Sequence, residues 1–229
     1  MAEGVFIAIE GIDGAGVTTQ AELLQRKLED DILPFINDDV EYGNGPHTHL
    51  TKEPTDGPAG GQIRVALSER LELDTETLAL FFATDRRDHV EQVIKPMLED
   101  GYIVIADRYY LSSYAYQLDG VGGDLEWLRE INSKSISPDL TVLLDVEVDT
   151  SKTRRDQSRL TEELTEDRET LETVRENYLD IADTLQSEGE NIRIVDGEGD
   201  AEREVFQSYR DYVYDLLQEK NYATIGTDG

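Results

Sequence analysis

Cysteine is absent from this chain. That excludes disulfides and thiolate metal centres and makes a reducing, cytoplasmic compartment the expected location. Basic residues are scarce: 21 Lys and Arg stand against 51 Asp and Glu, a formal net charge of −30. No basic stripe is left to neutralise a phosphate backbone, so broad nucleic-acid binding is excluded. Nowhere does an apolar run reach the roughly twenty residues that a membrane helix needs. The start of the chain, Met1-Ala2-Glu3-Gly4, has no basic-then-apolar leader, again in keeping with a cytoplasmic protein. Only three histidines occur. His47 and His49 flank Thr48 without a third ligand nearby, and ordinary polar roles are preferred to a metal pair.

Apolar periodicity runs through nearly the whole chain, which separates it from acidic disordered proteins. Acidic residues decorate almost every predicted helix. Self-repulsion of this size favours a salt-rich cytosol, because screening acts within about 10 Å already at ~0.1 M salt. The expectation is a halophilic protein with one large α/β domain over residues 1–219 and a frayed, disordered tail at 220–229.

The chain is organised around its first strand and the turn that follows. Phe6-Ile7-Ala8-Ile9 is a short buried-strand pattern, Gly11-Ile12-Asp13-Gly14-Ala15-Gly16 a glycine-rich turn, and Gln20 to Leu28 an amphipathic helix. Strand, glycine loop and helix in this order make a phosphate-binding loop, in which backbone N–H groups and a helix N-terminus converge on one anion. The usual pattern is G-x-x-x-x-G-K-[ST], and Val17 stands where the lysine belongs, ahead of Thr18 and Thr19. Tight packing is the rival reading of Gly14 and Gly16; the position of the turn after the first strand favours phosphate.

Further strands are expected at 48–52, 102–106, 140–146 and 192–195. Glu53-Pro54-Thr55-Asp56-Gly57-Pro58 follows the second as a rigid turn at a strand's C-terminal end, where α/β proteins place ligands. Arg64, on the next helix, reads equally well as an anion ligand or as a solvated arginine. Asp74 caps a long helix whose apolar stripe extends to Leu98, with an unusually polar break in the stripe at Thr84-Asp85-Arg86-Arg87-Asp88. Phe82 and Arg86 are four apart and share a face: a base-stacking and phosphate-binding pair, or a core Phe with a surface Arg. Asp107-Arg108-Tyr109 directly follows a buried strand, where charges need partners, and is taken as part of a site. Arg154, Arg155 and Arg159 form the densest basic patch, and the polar segment 154–168 fits a lid closing over phosphates.

Taken in order, these motifs resemble the thymidylate kinase family of phosphate-loop nucleoside-monophosphate kinases, from about Val5 to Leu217. The resemblance rests on Ile9 to Gly16, on Lys52-Glu53-Pro54, and on Phe82-Ala83-Thr84-Asp85-Arg86. It continues through Asp107-Arg108-Tyr109 with Ser112-Ser113 and Ala115-Tyr116-Gln117, and through Pro138-Asp139-Leu140-Thr141 with Leu144-Asp145-Val146. It implies a phosphate-loop NTPase fold, with a five-stranded parallel sheet between helices in three layers and a small lid. It also implies a homodimer, and transfer of the ATP γ-phosphoryl to dTMP with Mg²⁺.

By the same resemblance, Gly11, Asp13, Gly14, Ala15, Gly16, Val17, Thr18 and Thr19 wrap the ATP phosphates, with Thr18 on Mg²⁺. Phe82 stacks on the thymine, and Arg86 and Arg108 hold the dTMP phosphate. Glu53, Pro54, Arg64, Asp107, Ser113, Tyr116 and Gln117 complete the acceptor site. Asp13, Arg108, Arg155 and Arg159 are the catalytic set, with Arg154 and Arg155 approaching the adenine or the transferring phosphate. Three departures stand out: Val17 in the loop, Thr161-Glu162 where the family's lid commonly carries an Asp-Arg pair, and a long 31–46 loop. With the donor loop altered, a non-catalytic nucleotide-binding paralogue and a kinase for another monophosphate are the alternative readings.

Overall fold

The computed structural model describes residues 4–31, 48–68, 70–157, 168–199 and 202–222. Five strands lie close to where they were expected: β1 (Val5–Gly11), β2 (Thr48–Lys52), β3 (Ile103–Asp107), β4 (Leu140–Asp145) and β5 (Ile192–Asp196). They form one sheet in the order β2-β3-β1-β4-β5, every pair parallel. The continuous runs in β1 and β3 are buried throughout, as central parallel strands require, whereas edge strand β2 is half-buried. Ile7 pairs with Ile105 on one side and with Leu140 on the other. The carboxyl ends of β1, β3 and β4 therefore finish side by side, which is where open α/β sheets bind ligands.

Helices flank the sheet. α1 (Val17–Asp31) packs on α9 (Glu202–Glu219), and α5 (Tyr110–Gln117) packs on α8 (Arg168–Ser187). α2 (Pro58–Leu67) packs on α3 (Thr75–His89). The remaining helices are α4 (Lys95–Glu99), α6 (Leu125–Ile131) and α7 (Val148–Gln157). Asp74 caps α3 as its sequence suggests, accepting from the Thr77 N–H at 2.6 Å.

The long helix expected after Asp74 is present: α3 runs through the polar stretch 84–88 without interruption, and a π-helical stretch, Val90–Ile94, follows before α4. One expectation needs correction. The tail does not fray from residue 220. Tyr222 is 5% exposed, and its hydroxyl donates to the Gly101 carbonyl at 2.9 Å. Residues 223–229, most of the 31–46 loop and His47 lie outside the described residues. No described helix is long and apolar enough to cross a membrane. Among the described residues no cluster of three metal-ligating side chains occurs, so His49 has no metal partners there.

Candidate active site

The glycine loop leaves β1 and enters α1. Gly14 and Gly16 have φ of +85° and +94°, a region that L side chains rarely adopt. A Cβ on Gly14 would also fall 2.5 Å from the Ser151 carbonyl oxygen, whereas one on Gly16 would meet nothing within 4 Å. Gly14 is thus required by packing from α7, and Gly16 by conformation alone. Ala15 and Val17 are 1% and 4% exposed, so their side chains belong to the core and only their backbone faces a ligand.

α7 braces the loop from behind. Ser151 Oγ donates to the Asp13 carbonyl at 2.5 Å, and Arg154 Nη1 to the Ala15 carbonyl at 3.3 Å. Arg154 Nη2 donates at 2.9 Å to the carbonyls of both Gly197 and Gly199. The Arg154 guanidinium, expected to approach a nucleotide, here ties the glycine loop to the β5–α9 connection. The Arg155 stem lies across Gly14. Arg159, with lid residues 158–167, lies outside the described residues.

β3 delivers Asp107 and Arg108 beside this loop. Thr18 Oγ1 donates to Asp107 Oδ2 at 2.6 Å, which joins the two elements through a pair of oxygen ligands. Arg108 takes φ +68°, a conformation uncommon for a residue with a side chain. The turn aims its guanidinium back across the loop, Nη1 to the Gly11 carbonyl at 2.9 Å and Nη2 to Asp13 Oδ1 at 2.5 Å. Burial opposes the Arg108 charge, but the oxygens of Tyr116 and Asp13 outweigh it and its pKa lies well above the ordinary value. The Tyr116 hydroxyl accepts from the Asp13 N–H at 2.9 Å and donates to Asp13 Oδ1 at 3.0 Å.

Behind Arg108 lies Glu10, fully buried. It accepts from the Tyr109 N–H at 2.9 Å and from Ser112 Oγ at 2.5 Å. Burial raises its pKa above 4.5, against the Ser112 hydrogen bond and the Arg108 charge that pull it down. A carboxyl whose native pKa is raised contributes stability that is full below the unfolded value and is lost as pH rises through the native one. The stability difference between wild type and Glu10→Gln should therefore decline as pH rises above 4.5. Denaturant melts across pH test this, and a flat difference would contradict it.

One face of α3 closes the far end. Asp85 accepts from the Thr55 N–H at 2.7 Å and from Thr55 Oγ1 at 2.6 Å. Arg86, 1% exposed, sets Nη2 at 2.7 Å from Glu53 Oε2 and 3.0 Å from Ser113 Oγ, and Nη1 at 2.6 Å from Asn132 Oδ1. Burial works against this charge and Glu53 sustains it. Arg86 is therefore an already neutralised cation, which argues against the expected role of holding a phosphate. Part of the polarity of 84–88 is explained as well: Asp85 and Arg86 clamp the 53–55 turn, whereas Thr84 bonds back to the Leu80 carbonyl and Arg87 pairs with Glu91.

Between these parts lies a cleft of about 290 Å³. The glycine loop and β3 contribute Asp13, Thr18, Asp107 and Arg108 to it, and the turn and α2 contribute Glu53, Pro54 and Arg64. α3 adds Phe82 and Arg86, and α5 adds Ser113, Tyr116 and Gln117. Every expected acceptor residue thus reaches one cavity. Arg64 does so with its Nη1 on the Thr55 carbonyl at 2.6 Å. Tyr109, taken with Asp107 and Arg108 as part of a site, lines it too, and so do Lys52, Leu67 and Ser112, which were not assigned from sequence. Glu10, His89 and Asn132, which orient the lining residues, were missed too; buried polar side chains at core spacing are the signal that marks them. Three cleft residues carry buried polar atoms with no hydrogen-bond partner among the described residues: Arg86 Nε, Gln117 Oε1 and Glu53 Oε2, whose contact is the ion pair with Arg86.

A glycine loop at the end of β1 beside a separate polar and aromatic cleft defines a small-molecule kinase of the phosphate-loop class. Comparison with known proteins narrows this. A sequence model of the family described as Thymidylate kinase matches residues 9–209, and the chain belongs to that family. It is 40% identical over 224 residues to a probable thymidylate kinase of Thermococcus gammatolerans, covering 94% of this chain and 97% of that one. It is 43% identical over 188 residues to a probable thymidylate kinase of Pyrococcus horikoshii, covering 79% and 83%. A thymidylate kinase of Symbiobacterium thermophilum is 34% identical over 223 residues, covering 94% and 95%.

Proposed function

We propose that the chain transfers the γ-phosphoryl of ATP to dTMP, giving dTDP and ADP. Two of the unmatched buried atoms in the cleft carry this reading: Arg86 Nε is a donor and Gln117 Oε1 an acceptor. A pyrimidine edge with a carbonyl next to an N–H satisfies both, and a buried polar atom left unpaired costs about 1–3 kcal/mol. Arg86, neutralised by Glu53, then reads the base carbonyl, with Phe82 stacked on the ring. The acceptor phosphate falls to Arg108 and Arg64, which lie towards the loop and the 53–55 turn. Asp13, Tyr116 and Ser113 face the deoxyribose.

Backbone N–H groups from Gly14 to Thr19 receive the ATP phosphates, assisted by the first turn of α1. Oxygen ligands suit Mg²⁺, and Thr18 with Asp107 supplies two of them beside the loop. Held there, Mg²⁺ would supply charge neutralisation to the ATP phosphates. The acceptor phosphate oxygen forms its bond to the γ-phosphorus as the bond to the ADP oxygen breaks. Arg108, Arg155 and Arg159 offset the charge on the equatorial oxygens, and Asp13 holds Arg108 in line.

The domain is a single unit with a lid at 154–168. We also expect a homodimer: α2 and α3 expose Val65 and Leu80, 39% and 47% accessible. The acidic surface fits a salt-rich, cytoplasmic setting.

A coupled assay of purified protein in molar KCl, with Mg²⁺, ATP and a panel of monophosphates, tests the activity. Turnover is expected with dTMP, and more weakly with dUMP. Turnover confined to a purine monophosphate, or none at all by folded protein, would overturn the proposal.

A further inference from the structure

We infer that His89 is a positioning residue for acceptor recognition: through Glu53 it fixes the orientation of Arg86 in the cleft. This rests on the proposed reading of the cleft as the dTMP site. His89 is 3% exposed and does not line the cleft, so any influence on substrate passes through a neighbour. Its Nδ1 lies 3.0 Å from Glu53 Oε1, and its Nε2 lies 2.6 Å from Thr51 Oγ1. The other Glu53 oxygen is 2.7 Å from Arg86 Nη2. A carboxylate only accepts, so Nδ1 carries the hydrogen, and the Thr51 hydroxyl is then placed to donate to Nε2. Thr51, His89, Glu53 and Arg86 thus form one line from strand β2 to the cleft wall, two hydrogen bonds followed by an ion pair.

Phe82, Arg86 and His89 recur at helical spacing, and the π-helical stretch begins directly after His89. The backbone of the turn does not need His89, because Asp85 already holds both the N–H and the hydroxyl of Thr55. What His89 holds is the side chain of Glu53. Without it, Oε1 is a buried acceptor lacking its donor, and the carboxylate is free to rotate away from Arg86. Asn132 and Ser113 alone then set the guanidinium plane.

Three variants separate positioning from packing: His89→Asn, which puts an amide nitrogen near the place of Nδ1; His89→Gln, which puts it near Nε2; and His89→Leu, which keeps bulk. If His89 positions Glu53, Leu and Gln raise the KM for dTMP about tenfold while the KM for ATP stays put, and Asn remains near wild type. If His89 only fills space, the order reverses: Asn is most damaged, in melting temperature, and the dTMP constant does not move selectively. That outcome, or ATP and dTMP constants rising together, overturns the inference. Should Leu fail to fold, the Asn and Gln pair still decides it. Calorimetry on the wild type covers the underlying reading, since ATP binding without dTMP binding would remove the acceptor site and this inference with it.

Discussion

Replacing Arg108 by alanine is expected to lower kcat for dTMP about 10³-fold while leaving the fold intact. The magnitude follows from the loss of one preorganised donor at a transferring phosphoryl group, about 10²–10³ for a neutral donor and 10³–10⁵ for a catalytic arginine. Arg108 is more committed than a surface arginine. Its backbone is held at φ +68° and its N–H is bonded to the Ile9 carbonyl at 3.0 Å. Its head is pinned between the Gly11 carbonyl and Asp13.

The charge sits in place before substrate arrives, so little reorganisation is left for the reaction itself. Arg108→Lys keeps the charge but not the fork that spans Gly11 and Asp13, and it should recover only a small part of the loss. The ATP dissociation constant should change far less than kcat. Steady-state kinetics with a parallel ATP titration checks both. A kcat within tenfold of wild type in Arg108→Ala would remove Arg108 from the catalytic set.

The second large effect is a gain. Val17→Lys should raise kcat/KM for ATP by about 10- to 100-fold, within the range seen for a single preorganised donor. Val17 opens α1 with its side chain 4% exposed and Cγ2 3.4 Å from where a Cβ on Gly11 would sit. A lysine there buries its first methylenes along the same path, and its ammonium emerges over the loop. Arg154 cannot take its place, since three carbonyls hold its guanidinium.

Packing a longer stem where valine fits should lower stability by about 1 kcal/mol. Faster turnover together with a slightly lower melting temperature is therefore the expected joint result. An unchanged or lower kcat/KM in a folded variant would mean that another cation, Arg155 first among the described candidates, already fills the place.

Much of this was legible in the sequence. Continuous apolar runs marked β1, β3 and β4, because parallel strands buried on both faces leave little room for polar residues, whereas the edge strands β2 and β5 are partly polar. The glycine turn announced the loop, and the Asp107–Arg108 pair could be placed in a site because charges after a buried strand must have partners. The stretch 84–88 misled because helical spacing tells which side chains share a face but not what that face meets. What it meets is the 53–55 turn, some thirty residues earlier in the chain. Tyr222 was lost to the frayed tail for the same reason: its partner, the Gly101 carbonyl, lies far away in sequence.

Local pattern, then, determined the strands, the loop, the family resemblance and the residue types gathered at the cleft. Tertiary structure alone decided which charges remain free to meet a ligand. Arg86 is balanced by Glu53 within the core and Arg154 is held by carbonyls, while Arg108, aimed by a left-handed backbone turn, pairs with an Asp13 whose side chain is 43% exposed. The reason is electrostatic: an arginine acts on a substrate through whatever its neighbours have not already neutralised, and those neighbours are brought together only when the sheet assembles.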